Sequence, residues 1–319
     1  MSHLYFALME IEQIAKIVSY ATDSGLLNEL RLVPATARQV ALHRNGDERA
    51  YRSLLETLRG MGYLECLGDQ YAATQQHEEL RRDNSFRWEA IPDFLQTGRP
   101  WIAIDDSPVA LDKFYTEFFE SVGYANQMVA TAEALVSRIG GTPAHILDVG
   151  AGTGLWSLSM ARRLPHSGVV AVDFPNVLKS HFYPRAEYLG CRERVTAIEG
   201  DFHEVDFPKA SFDRVVMGSS FHFLREGAAA AYVAKVRAAL LPCGEFVVID
   251  HFADAKPHQR LSRTLYEMRL AMRTLAAKNY SRQEIIRICS TAGFILKDSF
   301  EVEGPGFLSV LVFEVPVNV

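Results

Sequence analysis

The sequence has few cysteines, no long apolar run and no large excess of one charge. The four cysteines among its 319 residues lie far apart and have no metal-binding spacing. No apolar run reaches the roughly 18 residues that a membrane-spanning helix needs. The N-terminal residues also lack the basic and apolar regions of a signal peptide. These absences predict a reduced, cytoplasmic, globular protein with no membrane partner and no disulfide framework.

The most informative segment is an apolar run that ends in an acid and continues into three glycines. Residues 144–149 read Ala-His-Ile-Leu-Asp-Val, and Gly150, Gly152 and Gly154 follow. Residues 155–161 then carry apolar side chains at helical spacing. This order predicts a buried strand, a tight turn and a helix. Glycines in such a turn let the backbone approach a ligand, and the helix start offers free N–H groups.

A second predicted strand supports a nucleotide-like ligand at this turn. Residues 169–173 are apolar and end in Asp173, 19 residues after Gly154. A carboxylate at that strand tip is where a doubly wound fold holds a ribose. The third glycine comes one residue too early for a dinucleotide motif, and Asp148 precedes the first glycine. The pattern resembles the first motif of class I S-adenosylmethionine-dependent methyltransferases; a nucleotide-binding or degenerate Rossmann domain is the alternative.

The remaining sequence predicts an α/β fold preceded by a helical region. Strands and helices alternate from residue 144 onward, which predicts a Rossmann-like, seven-stranded, mostly parallel sheet with a terminal antiparallel hairpin. The predicted helices include 227–240, 257–276 and 281–292. In the N-terminal part, helices precede a Gly68-Asp69 turn between two short strand-like runs, which is typical of a winged helix.

With these residues in place, the chain resembles the small-molecule O-methyltransferases of bacterial antibiotic pathways and plant phenolic metabolism. The resemblance covers nearly the whole length. It implies S-adenosylmethionine as cofactor, a small acceptor and a homodimer. It also implies three regions: a winged-helix-like dimerisation domain (1–90), a helical linker that contributes to the acceptor pocket (91–140) and a catalytic domain that binds the cofactor (141–319).

The family's motifs imply a set of cofactor residues. Residues 148–154 match the glycine motif, residues 173–177 match the segment after the second strand, and residues 200–202 match the segment after the third. Asp173 is thereby expected to hold the ribose hydroxyls, and Asp201 and Phe202 to lie by the adenine. Gly218 stands where some members have a lysine that contacts the cofactor. The implied cofactor residues are Asp148, Gly150, Gly152, Gly154, Asp173, Phe174, Asp201, Phe202 and Gly218.

The resemblance also implies catalytic residues. The family's general base is a histidine followed by an acid, and here His222 is kept while the acid is replaced by Phe223. Asp250 matches the acid that orients the base, and Glu284 matches a second such acid. Ser281 and Glu284 also have the spacing of a capping box, so Glu284 is either catalytic or structural. We expect His222 to remove the acceptor proton because imidazole titrates near neutral pH.

Because Phe223 replaces the acid that follows the histidine in the family, the methyl acceptor could also be a thiol or an activated carbon. Related C-methyltransferases of 2-oxo acids hold a metal with histidines, and His222 and His251 are a conceivable pair. Because neighbouring strand residues point to opposite faces, a site-facing Asp250 predicts that His251 points away. No cluster of cysteine and histidine indicates a metal, and no metal ligand is expected.

Aromatic and methionine side chains are candidates for the acceptor pocket, or else for packing. Apolar walls with few charges predict a flat, small acceptor rather than a peptide or a nucleic acid. The candidate pocket residues are Trp101, Phe114, Phe118, Phe221, Phe223, Met268 and Met272.

A different class of function also fits the N-terminal region, namely a ligand-sensing winged-helix regulator that binds DNA. The formal net charge is −6, from 33 basic and 39 acidic residues. A net negative charge argues against general binding to nucleic acids. Five arginines between positions 38 and 59 give local basic character, but Asp47, Glu48 and Glu56 lie among them and interrupt a basic stripe. We therefore expect no nucleic-acid partner.

Overall fold

The computed structural model describes residues 2–74, 88–122, 128–254, 260–302 and 308–316. The chain divides into two compact units, residues 1–82 and 83–319. The junction between them falls within residues 75–87, outside the described part of the chain. No helix of the described residues is long and apolar enough to cross a membrane.

Residues 2–74, the described part of the first unit, form four helices and a hairpin. Asp47 begins the fourth helix by accepting a hydrogen bond from the Ala50 backbone N–H, and Gly68 has the positive φ, 69°, that the hairpin turn requires. The unit buries its own core of leucine, alanine, valine and tyrosine side chains. Its elements are α1 (Ser2–Asp23), α2 (Leu26–Leu32), α3 (Ala37–His43), α4 (Glu48–Gly60), β1 (Leu64–Leu67) and β2 (Gln70–Ala73).

The second unit contains a seven-stranded sheet, as the alternation of strands and helices predicts. Its strands are β3 (His145–Val149), β4 (Gly168–Asp173), β5 (Val195–Glu199), β6 (Phe212–Gly218), β7 (Leu240–Asp250), β8 (Ile295–Glu301) and β9 (Ser309–Glu314). The spatial order is β5-β4-β3-β6-β7-β9-β8. The first five of these strands are parallel, and β9 runs antiparallel to both β7 and β8.

Helices cover the sheet and connect its strands. They are α5 (Ile91–Thr97), α6 (Pro108–Val122), α7 (Val129–Ile139), α8 (Leu155–Arg163), α9 (Pro175–Val177), α10 (Tyr183–Tyr188), α11 (Ala229–Ala239), α12 (Arg260–Ala271) and α13 (Arg282–Thr291). A π-helical turn, Leu178–Phe182, joins α9 to α10. Apolar side chains alternate between the two faces of the sheet and form one core on each: Ile146 faces one core, whereas Leu147 and Val149 face the other.

One predicted helix is shorter than its pattern suggests. The prediction ended at Ala276, but α12 ends at Ala271. The next residues instead pair with the segment before α6, because both carboxylate oxygens of Asp105 accept backbone hydrogen bonds, from Leu275 and Ala276. This long-range contact takes the place of the last helical turn and brings residue 273 close to the edge of the sheet where the strands end.

Candidate active site

A pocket of about 650 Å³ opens where the parallel strands end. Gly150, Asp173, Gly200, Gly218 and His251 line it, and each of them ends or directly follows a different strand from β3 to β7. The strand order reverses at β3, which lies between β4 and β6. In open α/β sheets this reversal creates a crevice that binds ligands. The topology therefore places the glycine turn and the strand-end acids around one cavity.

The glycine turn, residues 150–154, contributes backbone to the pocket wall. Gly150 and Gly152 have φ values of 68° and 55°, in the left-handed region that glycine favours. A Cβ on Gly150 would lie 2.8 Å from the Cβ of Ser220, and one on Gly152 would lie 2.9 Å from the ring of Phe119. Ser220 and Phe119 already occupy the space that a side chain at these positions would need, so only glycine fits in the turn. Gly154 begins α8 with a φ of 68° but is not part of the pocket wall.

Asp173 lies on the pocket wall and is bound to the glycine turn. Its Oδ2 accepts a hydrogen bond of 2.7 Å from the Gly152 N–H, and its Oδ1 accepts one of 2.7 Å from the Phe174 N–H. Burial raises the pKa of the Asp173 carboxyl to about 6, although these two hydrogen bonds act in the opposite direction. Phe174 also lines the pocket. The carboxylate is held rigidly, and each oxygen keeps lone pairs for a ligand's hydroxyl groups.

Asp148 lies behind the turn rather than on the pocket wall. The Ser157 hydroxyl donates to its Oδ2, while its Oδ1 is buried and has no hydrogen-bond partner among the residues that the structure describes. Burial raises the pKa of the Asp148 carboxyl to about 7. The structure thus separates this acid from the other predicted cofactor residues that line the cavity.

One end of the pocket is formed by residues 201–203 and α11. Asp201 and Phe202, both predicted cofactor residues, line it together with His203 and Tyr232. The ring of Phe202 stacks on that of His203, with 4.3 Å between centroids and 29° between planes. The Asp201 Oδ1 accepts hydrogen bonds of 2.9 Å from both the backbone N–H and the ring Nδ1 of His203. Burial alone would raise the Asp201 pKa, but these bonds outweigh it and lower the pKa.

The other end of the pocket holds a buried histidine–aspartate pair. The His222 Nδ1 lies 3.1 Å from the Asp250 Oδ2 and 3.3 Å from its Oδ1, and both side chains are almost fully buried. His222 lines the pocket, whereas Asp250 lies behind it. Burial acts to raise the Asp250 pKa, but the charge and the hydrogen bond of His222 lower it below its usual value. The pair thus fixes the imidazole with Nδ1 toward the carboxylate.

Tyr266 on α12 completes this end of the pocket. Its hydroxyl lies 3.1 Å from the His222 Nδ1, and its ring packs on the ring of His251 with 4.2 Å between centroids. The His222 Nε2 is buried and has no hydrogen-bond partner in the described part of the chain. Because Nδ1 is engaged by Asp250 and Tyr266, Nε2 is the ring nitrogen that remains for a substrate proton.

His251 lies on the pocket wall, contrary to the prediction that it points away. The prediction assumed the alternation of a regular strand, but β7 ends at Asp250 and His251 lies in the loop beyond it. The His251 backbone N–H donates to the Asp250 Oδ1 at 2.8 Å. Burial lowers the pKa of the His251 imidazole to about 4, so the ring is neutral at pH 7.

The described residues hold no group of three or more histidine, cysteine, aspartate or glutamate side chains that could bind a metal ion. His222 and His251 share the pocket wall, but His222 directs its Nδ1 to Asp250 and Tyr266 rather than to His251.

Aromatic rings form the wall beside His222. Phe118 and Phe223 line the pocket as predicted candidates, and Tyr115 and Phe119 on α6 line it as well. Tyr115 meets Phe223 edge to face, with 6.0 Å between centroids. Burial raises the pKa of the Tyr115 hydroxyl to about 12, so the hydroxyl stays protonated at neutral pH. Asp112 anchors α6 to the segment after β4 by accepting hydrogen bonds from residues 176 and 177.

Five predicted pocket residues lie off this wall. Phe114 is buried against Phe118, and Phe221 packs edge to face on Tyr280 in the core below the sheet edge. Helical periodicity identifies an apolar face but does not identify which part of that face meets a cavity; on α12 the pocket residue is Tyr266. The five residues that do not line the pocket are Trp101, Phe114, Phe221, Met268 and Met272.

Glu284 does not reach the pocket and forms the capping box of α13. Its Oε2 accepts hydrogen bonds from the Ser281 backbone N–H at 2.8 Å and from the Ser281 hydroxyl at 2.9 Å. Its Oε1 binds the Lys278 Nζ at 2.9 Å. The bond from the Ser281 backbone, together with Lys278, lowers the pKa of the Glu284 carboxyl to about 2. Its link to His222 is indirect, through the Lys278 N–H that donates to the His222 carbonyl.

Trp156 occupies the space beside Gly218, the position at which the family resemblance implies a lysine in some members. A Cβ added to Gly218 would collide with the indole ring, and Trp156 and Gly218 both line the pocket. The indole belongs to the first turn of α8 and is almost fully buried. An aromatic surface therefore replaces a flexible cation at this point of the wall.

The sequence prediction missed several pocket residues that the fold brings together from separate elements. Tyr115, Trp156, Tyr232 and Tyr266 come from four helices, and no local pattern distinguishes them from core aromatics. His203 is the exception: it directly follows the predicted Asp201 and Phe202, and this adjacency could have identified it. The further missed residues include Phe119, His251 and Arg273.

Residues 146–244 match the family model of the methyltransferase domain. The chain contains a methyltransferase domain. This domain extends from β3 into β7 and includes the glycine turn, residues 201–203 with α11 at one end of the pocket, and His222 at the other. Asp250, which holds His222, follows six residues beyond the matched range.

Comparisons with single proteins agree with the methyltransferase domain. The tetracenomycin polyketide synthesis 8-O-methyl transferase of Streptomyces glaucescens is 24% identical over 164 residues, 51% of this chain and 48% of that protein. The chain thus spans about half the length of this curated relative.

Two solved structures share the fold over nearly the whole chain. An O-methyltransferase family protein from Burkholderia thailandensis superimposes with a TM-score of 0.72 at 15% identity, covering 100% of this chain and 99% of that one. Human N-acetylserotonin methyltransferase in complex with S-adenosylmethionine gives 0.69 at 15% identity, covering 99% and 98%. These likenesses confirm the α/β fold class and the resemblance to O-methyltransferases in fold.

Proposed function

We propose that the protein transfers a methyl group from S-adenosylmethionine to an oxygen atom of a small aromatic acceptor. The observation that carries this proposal is the buried His222–Asp250 pair at the wall of a pocket that also contains the glycine turn and Asp173. The match to the methyltransferase domain supports the reaction type. The aromatic wall of Phe118, Phe223 and Tyr115 supports a flat acceptor.

The residues of the pocket fit the proposed cofactor. Gly150 and Gly152 line the pocket, and only glycine fits at these positions because a Cβ would collide with Ser220 or Phe119. Asp173 offers a fixed carboxylate for ribose hydroxyls, and Phe202 offers an aromatic face at the end that we assign to the purine. When bound, S-adenosylmethionine supplies an electrophilic methyl group on a sulfonium sulfur.

His222 acts as the general base. Asp250 accepts a hydrogen bond from the Nδ1–H group of His222, which leaves the Nε2 lone pair to remove the proton of the acceptor hydroxyl. With the cofactor held by the glycine turn and Asp173, its methyl group would pass to the deprotonated acceptor oxygen, and the electron pair of the carbon–sulfur bond would stay on sulfur. The proton remains on Nε2 until release, and the Asp250 carboxylate stabilises the resulting imidazolium. The aromatic wall of Tyr115, Phe118 and Phe223 would position a flat acceptor beside His222.

A His222→Ala substitution tests this mechanism. With isotope-labelled S-adenosylmethionine and a panel of phenols, thiols and 2-oxo acids, we expect wild-type protein to give a labelled aryl ether by mass spectrometry. The variant should lose about 10²- to 10⁴-fold in turnover because proton transfer contributes a factor of this size. Its affinity for S-adenosylhomocysteine, measured by calorimetry, should change little.

The controls separate the alternatives. Asp250→Asn should lower turnover as well, since the imidazole would lose the partner that fixes its tautomer. Full turnover by His222→Ala would contradict base catalysis, and label on sulfur or carbon, or turnover lost in EDTA, would favour the S- or C-methylating alternative. If the wild-type protein does not bind S-adenosylhomocysteine, that result would contradict the proposed methyltransferase function itself.

The same proposal includes the assembly and setting of the protein. We infer that the first unit is a winged-helix domain that forms a homodimer through α1, whose exposed apolar side chains support an interface. The four free cysteines support a reducing compartment such as the cytoplasm. Three of the five arginines considered for DNA binding, Arg44, Arg52 and Arg59, form ion pairs with glutamates, which favours an enzyme over a regulator.

A further inference from the structure

Two buried polar atoms at one end of the pocket have no hydrogen-bond partner within the described residues. They are the Nε2 of His203 and the hydroxyl oxygen of Tyr232. Both side chains line the pocket, and their rings lie 5.8 Å apart between centroids. A buried polar atom without a partner costs free energy, so such atoms in a cavity wall indicate groups that a ligand satisfies.

The hydrogen-bonding character of the His203 atom follows from its neighbour. The Asp201 Oδ1 accepts from the His203 ring Nδ1 at 2.9 Å, and an ionised carboxylate can only accept. The depressed pKa of Asp201 agrees with the ionised form. Nδ1 therefore carries the proton, and in the neutral ring Nε2 presents a lone pair. His203, a residue of the pocket wall, thus offers a hydrogen-bond acceptor at Nε2.

The Tyr232 hydroxyl is a hydrogen-bond donor, the role opposite to that of the His203 Nε2. Burial raises the pKa of this phenol well above its ordinary value, so the hydroxyl keeps its proton and can donate. Phe202 packs edge to face on Tyr232, with 5.6 Å between centroids, and stacks on His203. The Lys235 Nζ lies over the Tyr232 ring and donates to the backbone carbonyl of Phe202. These contacts hold the two rings in place beside an aromatic face.

An acceptor next to a donor, beside an aromatic face, matches one edge of a 6-aminopurine. Adenine presents an amino group that donates, adjacent to ring nitrogens that accept. A 6-oxopurine reverses this pattern near its N1 position, because it has a carbonyl oxygen and a protonated N1. The two partnerless atoms therefore fit adenine and oppose hypoxanthine at the same place.

We propose that His203 and Tyr232 select the adenine base of the cofactor, with Nε2 accepting from the 6-amino group and the Tyr232 hydroxyl donating to an adjacent ring nitrogen. The inference rests on the proposed function, since it assumes that the pocket binds S-adenosylmethionine. It assigns base selection to these two residues. Asp201 then acts as a positioning residue, because its Oδ1 is engaged in fixing the orientation and the tautomer of His203.

The test compares two ligands that differ only at the purine, S-adenosylhomocysteine and S-inosylhomocysteine. Their dissociation constants are measured by isothermal titration calorimetry on the full chain. We expect the wild-type protein to bind the adenosyl ligand about a hundredfold more tightly, which corresponds to about tenfold for each of two hydrogen bonds. His203→Phe, which keeps a ring for stacking, and Tyr232→Phe should each reduce this ratio to about tenfold.

Two control variants show whether a change is specific to the base. Asp173→Asn should weaken both ligands and leave their ratio unchanged, because it contacts the sugar rather than the purine. Tyr183→Phe removes the same hydroxyl from a tyrosine outside the pocket wall and should alter neither constant. Thermal unfolding of each variant shows whether it folds. If His203→Phe does not fold, the ratio measured for Tyr232→Phe tests base selection by itself.

The outcomes separate this inference from the proposed function. A wild-type ratio near one, or a ratio that both folded variants keep, overturns base selection by His203 and Tyr232 while the binding of S-adenosylhomocysteine still supports the function. Wild-type protein that binds neither ligand overturns both. A reduced ratio in both variants with normal controls supports the inference.

Discussion

Asp148 is a buried carboxyl group whose pKa is raised to about 7 by desolvation. Below about pH 4 the group is protonated in both the folded and the unfolded chain, and it has no effect on the difference between them. Between about pH 4 and pH 7 the unfolded chain loses the proton while the folded chain keeps it. The free energy of unfolding therefore falls as the pH rises through this range. Above about pH 7 the destabilising contribution of Asp148 stays constant.

We expect Asp148→Asn to remove this pH dependence, because the amide is neutral and its oxygen can still accept from the Ser157 hydroxyl. Between pH 4.5 and pH 7.5 the wild-type free energy of unfolding should fall by on the order of 3 kcal/mol more than that of the variant. Urea unfolding of cofactor-free protein at several pH values measures this difference. Asp69→Asn, at an exposed position, should follow the wild-type curve, and parallel curves for Asp148→Asn would contradict the prediction.

At the scale of elements, α13 shows how one sequence pattern can carry two interpretations. Glu284 matches a family acid by position, but its side chain closes the capping box with Ser281. Glu284→Ala should lower stability by about 1 kcal/mol, because it leaves the Ser281 backbone N–H at the helix start without its acceptor. Turnover should change only a few fold, since the carboxylate does not line the pocket.

A matched variant separates capping from catalysis. Ser281→Ala removes the other half of the box and leaves the Glu284 carboxylate in place, so it should destabilise the chain to a similar extent. Turnover and the free energy of unfolding are measured on both variants. If turnover falls about a hundredfold or more in Glu284→Ala but not in Ser281→Ala, Glu284 has a catalytic role and capping alone is excluded.

Most of the elements follow from local patterns, and the sheet is confirmed. The apolar runs that end in Asp148-Val149 and in Asp173 are strands because their hydrophobic pattern is local and their turn residues are specific. The site could be predicted only in part. Strand ends such as Asp173 and Asp201 reach the pocket through the topology of the sheet, whereas Tyr115 and Tyr266 reach it through helix packing that no neighbouring residue encodes.

The assembly of the whole molecule depends on α1 in the proposed dimer. Its side chains Ile11 and Ile14 are 62% and 45% exposed in the single chain, and Met9 and Tyr20 are also exposed. Ile11 and Ile14 lie three residues apart on one side of the helix, and exposed apolar side chains so placed favour burial against a second copy. The sequence alone could suggest this only through the family resemblance, because the period of a helix does not distinguish a core face from an interface.

Ile14→Glu should convert the dimer to a monomer of 35.7 kDa, because it places a charge within the proposed apolar interface. Light scattering after gel filtration measures the mass, with the wild-type protein expected at twice this value. Lys16→Glu introduces the same charge on α1 at a site where Lys16 is exposed and paired with Glu12, and it should stay dimeric. A wild-type monomer at micromolar concentration would contradict the prediction.

The indole ring over Gly218 makes two positions of the chain interdependent. Any larger residue at position 218 meets Trp156, which lies 62 positions earlier in the sequence and on a different element. The fold can accommodate a lysine or arginine at position 218 only after Trp156 has been replaced by a smaller residue. The two steps therefore have an obligatory order: the ring must be lost before the charge is gained, and the reverse path passes through a steric clash.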